Sequence, residues 1–225
     1  MSDADEMIRE IEREVAATRR YIGKDALNVR VMAAMRSVPR DAFMPAGVRQ
    51  LAYANMPVSI GYGQTVSQPY IVALMTDLLD PQPDDIILEV GTGSGYQAAV
   101  LSQLVSKIYS TETIAALADQ AADRLQQLGY LNVEVQVGDG YYGWAAHAPY
   151  DGIIVTAAAP HIPQPLVDQL KSGARLVIPV GAAYSEQRLM LVEKDSDGML
   201  GMKDILAVVF VPLTGAHHDQ PVVLE

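Results

Sequence analysis

Ile86-Ile87-Leu88-Glu89-Val90-Gly91-Thr92-Gly93-Ser94-Gly95-Tyr96 reads as a buried strand running straight into a glycine-rich turn. The apolar run has the length and branching of a parallel strand covered on both faces. The glycines let the backbone turn tightly and approach a ligand with no Cβ in the way. This is the pattern of a nucleotide-type binding site, and its spacing narrows the ligand. A dinucleotide fingerprint needs G-x-G-x-x-G, whereas Gly91, Gly93 and Gly95 give G-x-G-x-G, with Tyr96 where the third glycine would stand. Glu89 lies within the strand end, where a pyrophosphate would gain nothing from added negative charge. A plain glycine turn is the competing reading of so short a motif.

The combination E-x-G-x-G-x-G resembles the signature of S-adenosylmethionine-dependent methyltransferases of the Rossmann-like class, whose ligand carries an amino group and a sulfonium. Downstream, Lys107-Ile108-Tyr109-Ser110-Thr111-Glu112 reads as a second strand ending in an acid. Glu112 is therefore the expected ribose ligand, with a glutamate favoured by the dipole of the helix Ile114 to Leu128 as the alternative. A third alternating run, Val133-Glu134-Val135-Gln136-Val137, ends in Gly138-Asp139-Gly140. Asp139 is placed to meet the adenine amino group, and an Asp-Gly turn is the plainer account of the same pair.

Composition excludes several classes. At 225 residues, half of them apolar, the chain can bury a full core within one α/β domain. A net charge of −11 with only 16 basic residues argues against a nucleic-acid partner, which needs clustered Lys and Arg. With no cysteine there is no disulfide framework, thiolate zinc site or cysteine nucleophile. His147, His161, His217 and His218 lack metal-ligand spacing, so no metal is expected, and the His217-His218 pair reads as a polar loop. No apolar run approaches membrane-spanning length and the N-terminus is acidic, giving a cytoplasmic expectation with no membrane partner.

Residues about 4 to 20 and about 27 to 37 read as helices, the second ending before Pro39. Ala42 to Asn55 is turn-rich. Pro57 to Pro69 joins a short apolar piece to a glycine loop, and Tyr70 to Leu79 reads as a helix with Pro69 in its first turn and Ser67 as a candidate N-cap. From Asp84 strands and helices alternate, through a strand at 151–156, a helix at 163–171 and a strand at 174–180, as in a parallel sheet with right-handed crossovers. The segments 188–193 and 205–211, flanking the turn Asp195-Ser196-Asp197-Gly198, read as an antiparallel pair. The expected fold is α/β: a Rossmann-like, doubly wound, mostly parallel sheet with an antiparallel C-terminal edge and an N-terminal helical segment. It forms one domain over 1–225, with the helical segment at about 1–55 and the sheet core at about 84–213.

Gly63-Gln64-Thr65-Val66-Ser67-Gln68-Pro69-Tyr70, Glu89 to Gln97, Leu128-Gly129-Tyr130 with Asn132-Val133, Gly138-Asp139-Gly140, Ile154 to Pro160 and Arg175 to Gly181 together resemble the protein-L-isoaspartate O-methyltransferase family, in the family's order. The resemblance spans residues about 28 to 215. Thr113 departs from a frequent arginine and Ala174 from a frequent glycine. The resemblance implies S-adenosylmethionine as cofactor and, as substrate, the α-carboxylate of L-isoaspartyl residues in damaged proteins and peptides. Methylation lets the succinimide re-form and part of it reopen to aspartate. By the same resemblance Ser67 is the catalytic serine, Gln64, Thr65, Val66 and Thr214 lie at the methionine end of the cofactor, and Thr65, Ser67, Ala159 and Pro160 meet the substrate. Small side chains at the alanine run would admit an extended peptide, or would simply pack strand against helix. Tyr141, Tyr142 and Trp144 read as core or pocket walls.

The chemistry agrees. A terminal-type carboxyl has a pKa of about 3.3 to 3.7 and needs no base at neutral pH. Hydroxyl donors suit it better than Lys or Arg, because a fixed ion pair would stabilise the ground state as charge is lost. Helix capping is the other role open to Ser67. Three rivals stand beside this reading: a same-fold enzyme modifying a dedicated peptide, a sensor that binds the cofactor without turnover, and, weakest, a nicotinamide dehydrogenase. The expected state is a monomer.

Overall fold

The computed structural model describes residues 2–183 and 185–215, so the His217-His218 pair lies outside the described residues. Helix α1 (Asp3–Ile22) opens on a capping box between Ser2 and Asp5 and stops at Gly23, whose φ of 68° no β-carbon opposes. Its buried residues Met7, Ile8, Ile11 and Val15 fall on one stripe. Helix α2 (Val29–Ser37) is capped by Asn28. The turn-rich stretch resolves into two 3-10 turns, Arg40–Phe43 and Ala46–Leu51. The glycine loop proves to be the tip of a hairpin, β1 (Val58–Gly61) with β2 (Gln64–Val66), turning through Tyr62 and Gly63 at positive φ. Helix α3 (Pro69–Leu79) follows.

The main sheet contains β3 (Ile86–Val90), β4 (Lys107–Glu112), β5 (Val133–Val137), β6 (Tyr150–Val155), β7 (Leu170–Val180), β8 (Gln187–Lys194) and β9 (Leu200–Val208). Their order is β5-β4-β3-β6-β7-β8-β9, parallel from β5 to β7 and antiparallel from β7 to β9. Helices α4 (Tyr96–Ser102), α5 (Ala115–Gln127) and α6 (Gln164–Asp168) connect the parallel strands. Side chains alternate across the sheet, as the strand period requires. Ile87 joins a core shared with α1 to α4, while Leu88 and Val90 join one shared with α6 and β7. The chain enters the sheet at β3, winds out to β5 and returns on the other side of β3 at β6. The strand order therefore reverses between β3 and β6, and the crevice beyond their C-terminal ends is where ligands bind in such sheets.

Three expectations need correction. The expected antiparallel edge pair forms, β8 with β9, but its second strand lies at Leu200–Val208 rather than 205–211. Asp195 accepts the Asp197 and Met199 N–H groups, closing a turn so tight that pairing resumes at Leu200, and residues 209–211 lie beyond β9. The helix expected at 163–171 spans only Gln164–Asp168, because β7 begins at Leu170, with its register broken before Arg175. Ser67 does not cap α3: Gln68 holds the N-cap position, and the Tyr70 N–H is taken from outside the helix by Asn55 Oδ1 at 3.0 Å.

Candidate active site

At the end of β3 the backbone turns through Gly91 at φ 95°, where a Cβ would fall 2.4 Å from Thr156 Oγ1. The Thr156 hydroxyl donates to the Gly91 carbonyl at 2.6 Å, fastening the glycine turn to the end of β6. Glu112, at the end of β4, accepts the Gly93 N–H at 2.8 Å on one oxygen and the Ile114 N–H at 3.0 Å on the other. One carboxylate thus holds the loop and the start of α5 while lining the cleft between them. Gly140 closes the far wall, where a Cβ would lie 2.3 Å from Val90 Cγ1. Gln64, Thr65 and Thr214 complete this cleft. A bare backbone turn, an acid with lone pairs to spare for hydroxyls and a wall open only to glycine fit a nucleoside carrying a cationic arm.

Val66 and Ser67 line an adjoining recess with Thr92, Gly93 and Gln97. Ser67 also borders a groove of about 840 Å³ formed with Pro57, Gln68, Ile71, Glu186 and residues 207–211. With α3 capped by Asn55, the Ser67 hydroxyl has no hydrogen bond to any described residue, and it stands where the recess meets the groove.

The remaining expected site residues lie elsewhere. Glu89 is fully buried beneath the glycine turn and does not line the cleft; Ser110 Oγ donates to its Oε2 at 2.5 Å. Burial pushes its carboxyl up to about 8 against the lowering effect of the Ser110 hydrogen bond. Gly95, at the N-cap of α4, faces Leu125. Asp139 accepts the Tyr141 N–H at 3.0 Å and packs against Gly215. Ala159 is buried, its N–H donated to the Pro179 carbonyl and its own carbonyl accepting from Gly181, so packing rather than peptide access accounts for it. Pro160, next to it, is exposed. Trp144 packs with Tyr109 and His147, and its carbonyl accepts the Tyr150 hydroxyl at 2.6 Å. Among the described residues no group of acidic and histidine side chains could hold a metal ion.

Two contributors went unread in the sequence. Thr156 lines the cleft, the recess and the groove together, and a threonine immediately after a buried strand, opposite a glycine turn, is the signal that marks it. Asn55 had no local signal, since its partner lies 15 positions away.

The switch-point crevice, the glycine turn and the acid at the end of the second parallel strand define an S-adenosylmethionine-dependent methyltransferase of the Rossmann-like class. Residues 12–218 match the family described as protein-L-isoaspartate(D-aspartate) O-methyltransferase, and the chain belongs to that family. Protein-L-isoaspartate O-methyltransferase 2 of Nitrosococcus oceani is 62% identical over 212 residues, covering 94% of this chain and 96% of that protein. The Syntrophobacter fumaroxidans protein of the same name is 60% identical, covering 94% and 85%. A solved protein-L-isoaspartate O-methyltransferase superposes with a TM-score of 0.80 at 25% identity, over 94% of this chain and 66% of that one.

Proposed function

We propose that this protein moves the methyl group of S-adenosylmethionine to the α-carboxylate of L-isoaspartyl residues in damaged proteins and peptides, starting their repair to aspartate, with Ser67 as the group that holds the acceptor. The carrying observation is the unengaged Ser67 hydroxyl where the recess adjoining the cleft meets an open groove.

Bound in the cleft, the cofactor supplies an electrophilic methyl group on a sulfonium. Glu112 retains a lone pair on each oxygen for ribose hydroxyls after accepting its two backbone N–H groups. The acceptor carboxylate arrives as an anion, so no residue need remove a proton. Ser67 donates a neutral hydrogen bond that orients it, and orientation of this kind contributes about 7 to 11 kcal/mol to lowering a barrier. A neutral donor avoids over-stabilising the anion whose charge the reaction removes. Gln64, Thr65, Val66 and Thr214 are read as the methionine-end wall, and exposed Pro160 as part of the peptide rim. The same reading has a single-domain monomer acting in the cytoplasm on proteins rather than nucleic acid, in keeping with its net charge of −11.

The test is methyl transfer from labelled cofactor to two peptides that differ only in isoaspartate against aspartate. Only the isoaspartyl peptide is expected to be labelled, and equal labelling of both overturns the reading.

A further inference from the structure

We propose that Arg40 is a positioning residue for methyl transfer, its guanidinium fixing the Ser67 carbonyl so that the Ser67 hydroxyl stays presented to the acceptor carboxylate. The proposal rests on the reading of Ser67 given above.

Arg40 begins the 3-10 turn Arg40–Phe43 and is completely buried. Its Nε donates to the Ala52 carbonyl at 2.7 Å and its Nη2 to the Ser67 carbonyl at 2.8 Å. The guanidinium carbon lies 4.6 Å above the Tyr96 ring, and Nη1 is buried without a hydrogen-bond partner. Removing a guanidinium from water is costly unless an acid pairs with it, and here both hydrogen bonds go to neutral carbonyls. Packing alone would be served better by methionine or leucine.

What an apolar side chain cannot do is grip carbonyls from two separate loops in one rigid fork while stacking on an aromatic face. Each attachment belongs to a working part of the site. Ala52 leads to Asn55, which caps α3; Ser67 carries the acceptor hydroxyl; Tyr96 is the first residue of α4 after the glycine turn. Arg40 therefore sets the distance between the acceptor loop and the cofactor loop, and a misplacement of about 1 Å in such a pair can cost about a hundred-fold in rate.

A double-mutant cycle separates this from a merely structural role. Ser67→Ala, Arg40→Lys and the double variant are assayed for kcat at saturating isoaspartyl peptide and cofactor, for cofactor Kd by calorimetry, and for folded fraction by thermal unfolding. Arg40→Lys should lower kcat per folded molecule about ten-fold while cofactor Kd stays within about two-fold, and should change kcat by less than about two-fold when Ser67 is already alanine. Equal losses in both backgrounds, an unchanged kcat, or a parallel loss of cofactor affinity overturns the proposal. If the Arg40 variants do not fold, Asn55→Ala tests the same brace, because freeing the Tyr70 N–H invites the Ser67 hydroxyl to cap α3. Its kcat should fall while Kd holds, and an unchanged kcat overturns the proposal. An unchanged kcat in Ser67→Ala alone brings down the catalytic reading of Ser67 itself, a failure distinct from that of Arg40.

Discussion

Ser67 illustrates how a serine before a helix acquires a second use. Its hydroxyl would ordinarily serve the orphan N–H groups of α3, but Pro69 has no N–H and Asn55 takes that of Tyr70. Ser67→Ala should accordingly leave the unfolding temperature and cofactor Kd unchanged and lower kcat about ten- to a hundred-fold, the worth of one hydrogen bond to a charged group. A fall in unfolding temperature with kcat per folded molecule intact would return the residue to a capping role. Glu89 makes a second, pH-dependent prediction. The folded protein keeps a proton on Glu89 up to about pH 8, whereas in the unfolded chain the group titrates near its ordinary value of 4.5. The folded state thus binds more protons between those limits, so stability falls as pH rises from about 4.5 toward about 8 and levels off above. Denaturant unfolding of Glu89→Gln across that window should show a flatter profile than the parent, and an identical slope would contradict the assignment.

The glycine turn, the start of α5 and the end of β6 act as one unit because two side chains, Glu112 and Thr156, join them. Glu112→Ala removes the tether together with the carboxylate proposed to meet the ribose, so it should weaken cofactor binding first and spare kcat at saturating cofactor. Hydrogen exchange of the Gly93 and Ile114 amides should speed up even without ligand, which loss of a ribose contact alone would not cause. Gly91→Ala should be more severe. The position combines a φ of 95° with a collision at Thr156, and cofactor affinity should fall even in a variant that still folds, as calorimetry would show.

Across the molecule, the N-terminal helices are structural partners of the site. Ile11 is fully buried in the core that also takes in α3, and Lys24 with the Asn28 N–H fixes the buried Asp77 carboxylate of α3. Ile11→Ala should cost about 2 to 5 kcal/mol and lower one cooperative calorimetric transition, whereas two transitions would separate the helices from the sheet. Much of the architecture was legible from residue order alone. The Ile86–Val90 run with its glycines, the acid ending the next strand segment and the β/α alternation are local patterns, because strand period, turn chemistry and helix period are properties of neighbouring residues. The sequence by itself thus determined the class of fold and that the glycine turn, Glu112 and Ser67 belong to one region of it, where they line adjoining cavities. Only the tertiary structure decided that Asn55 rather than Ser67 caps α3, that Glu89 lies under the cleft floor against Ser110, that Ala159 is consumed in packing, and that Arg40 is buried between Ser67 and Tyr96. Each of these is a hydrogen bond or contact between segments distant in the chain, and no local periodicity encodes which donor will meet which acceptor once those segments pack together.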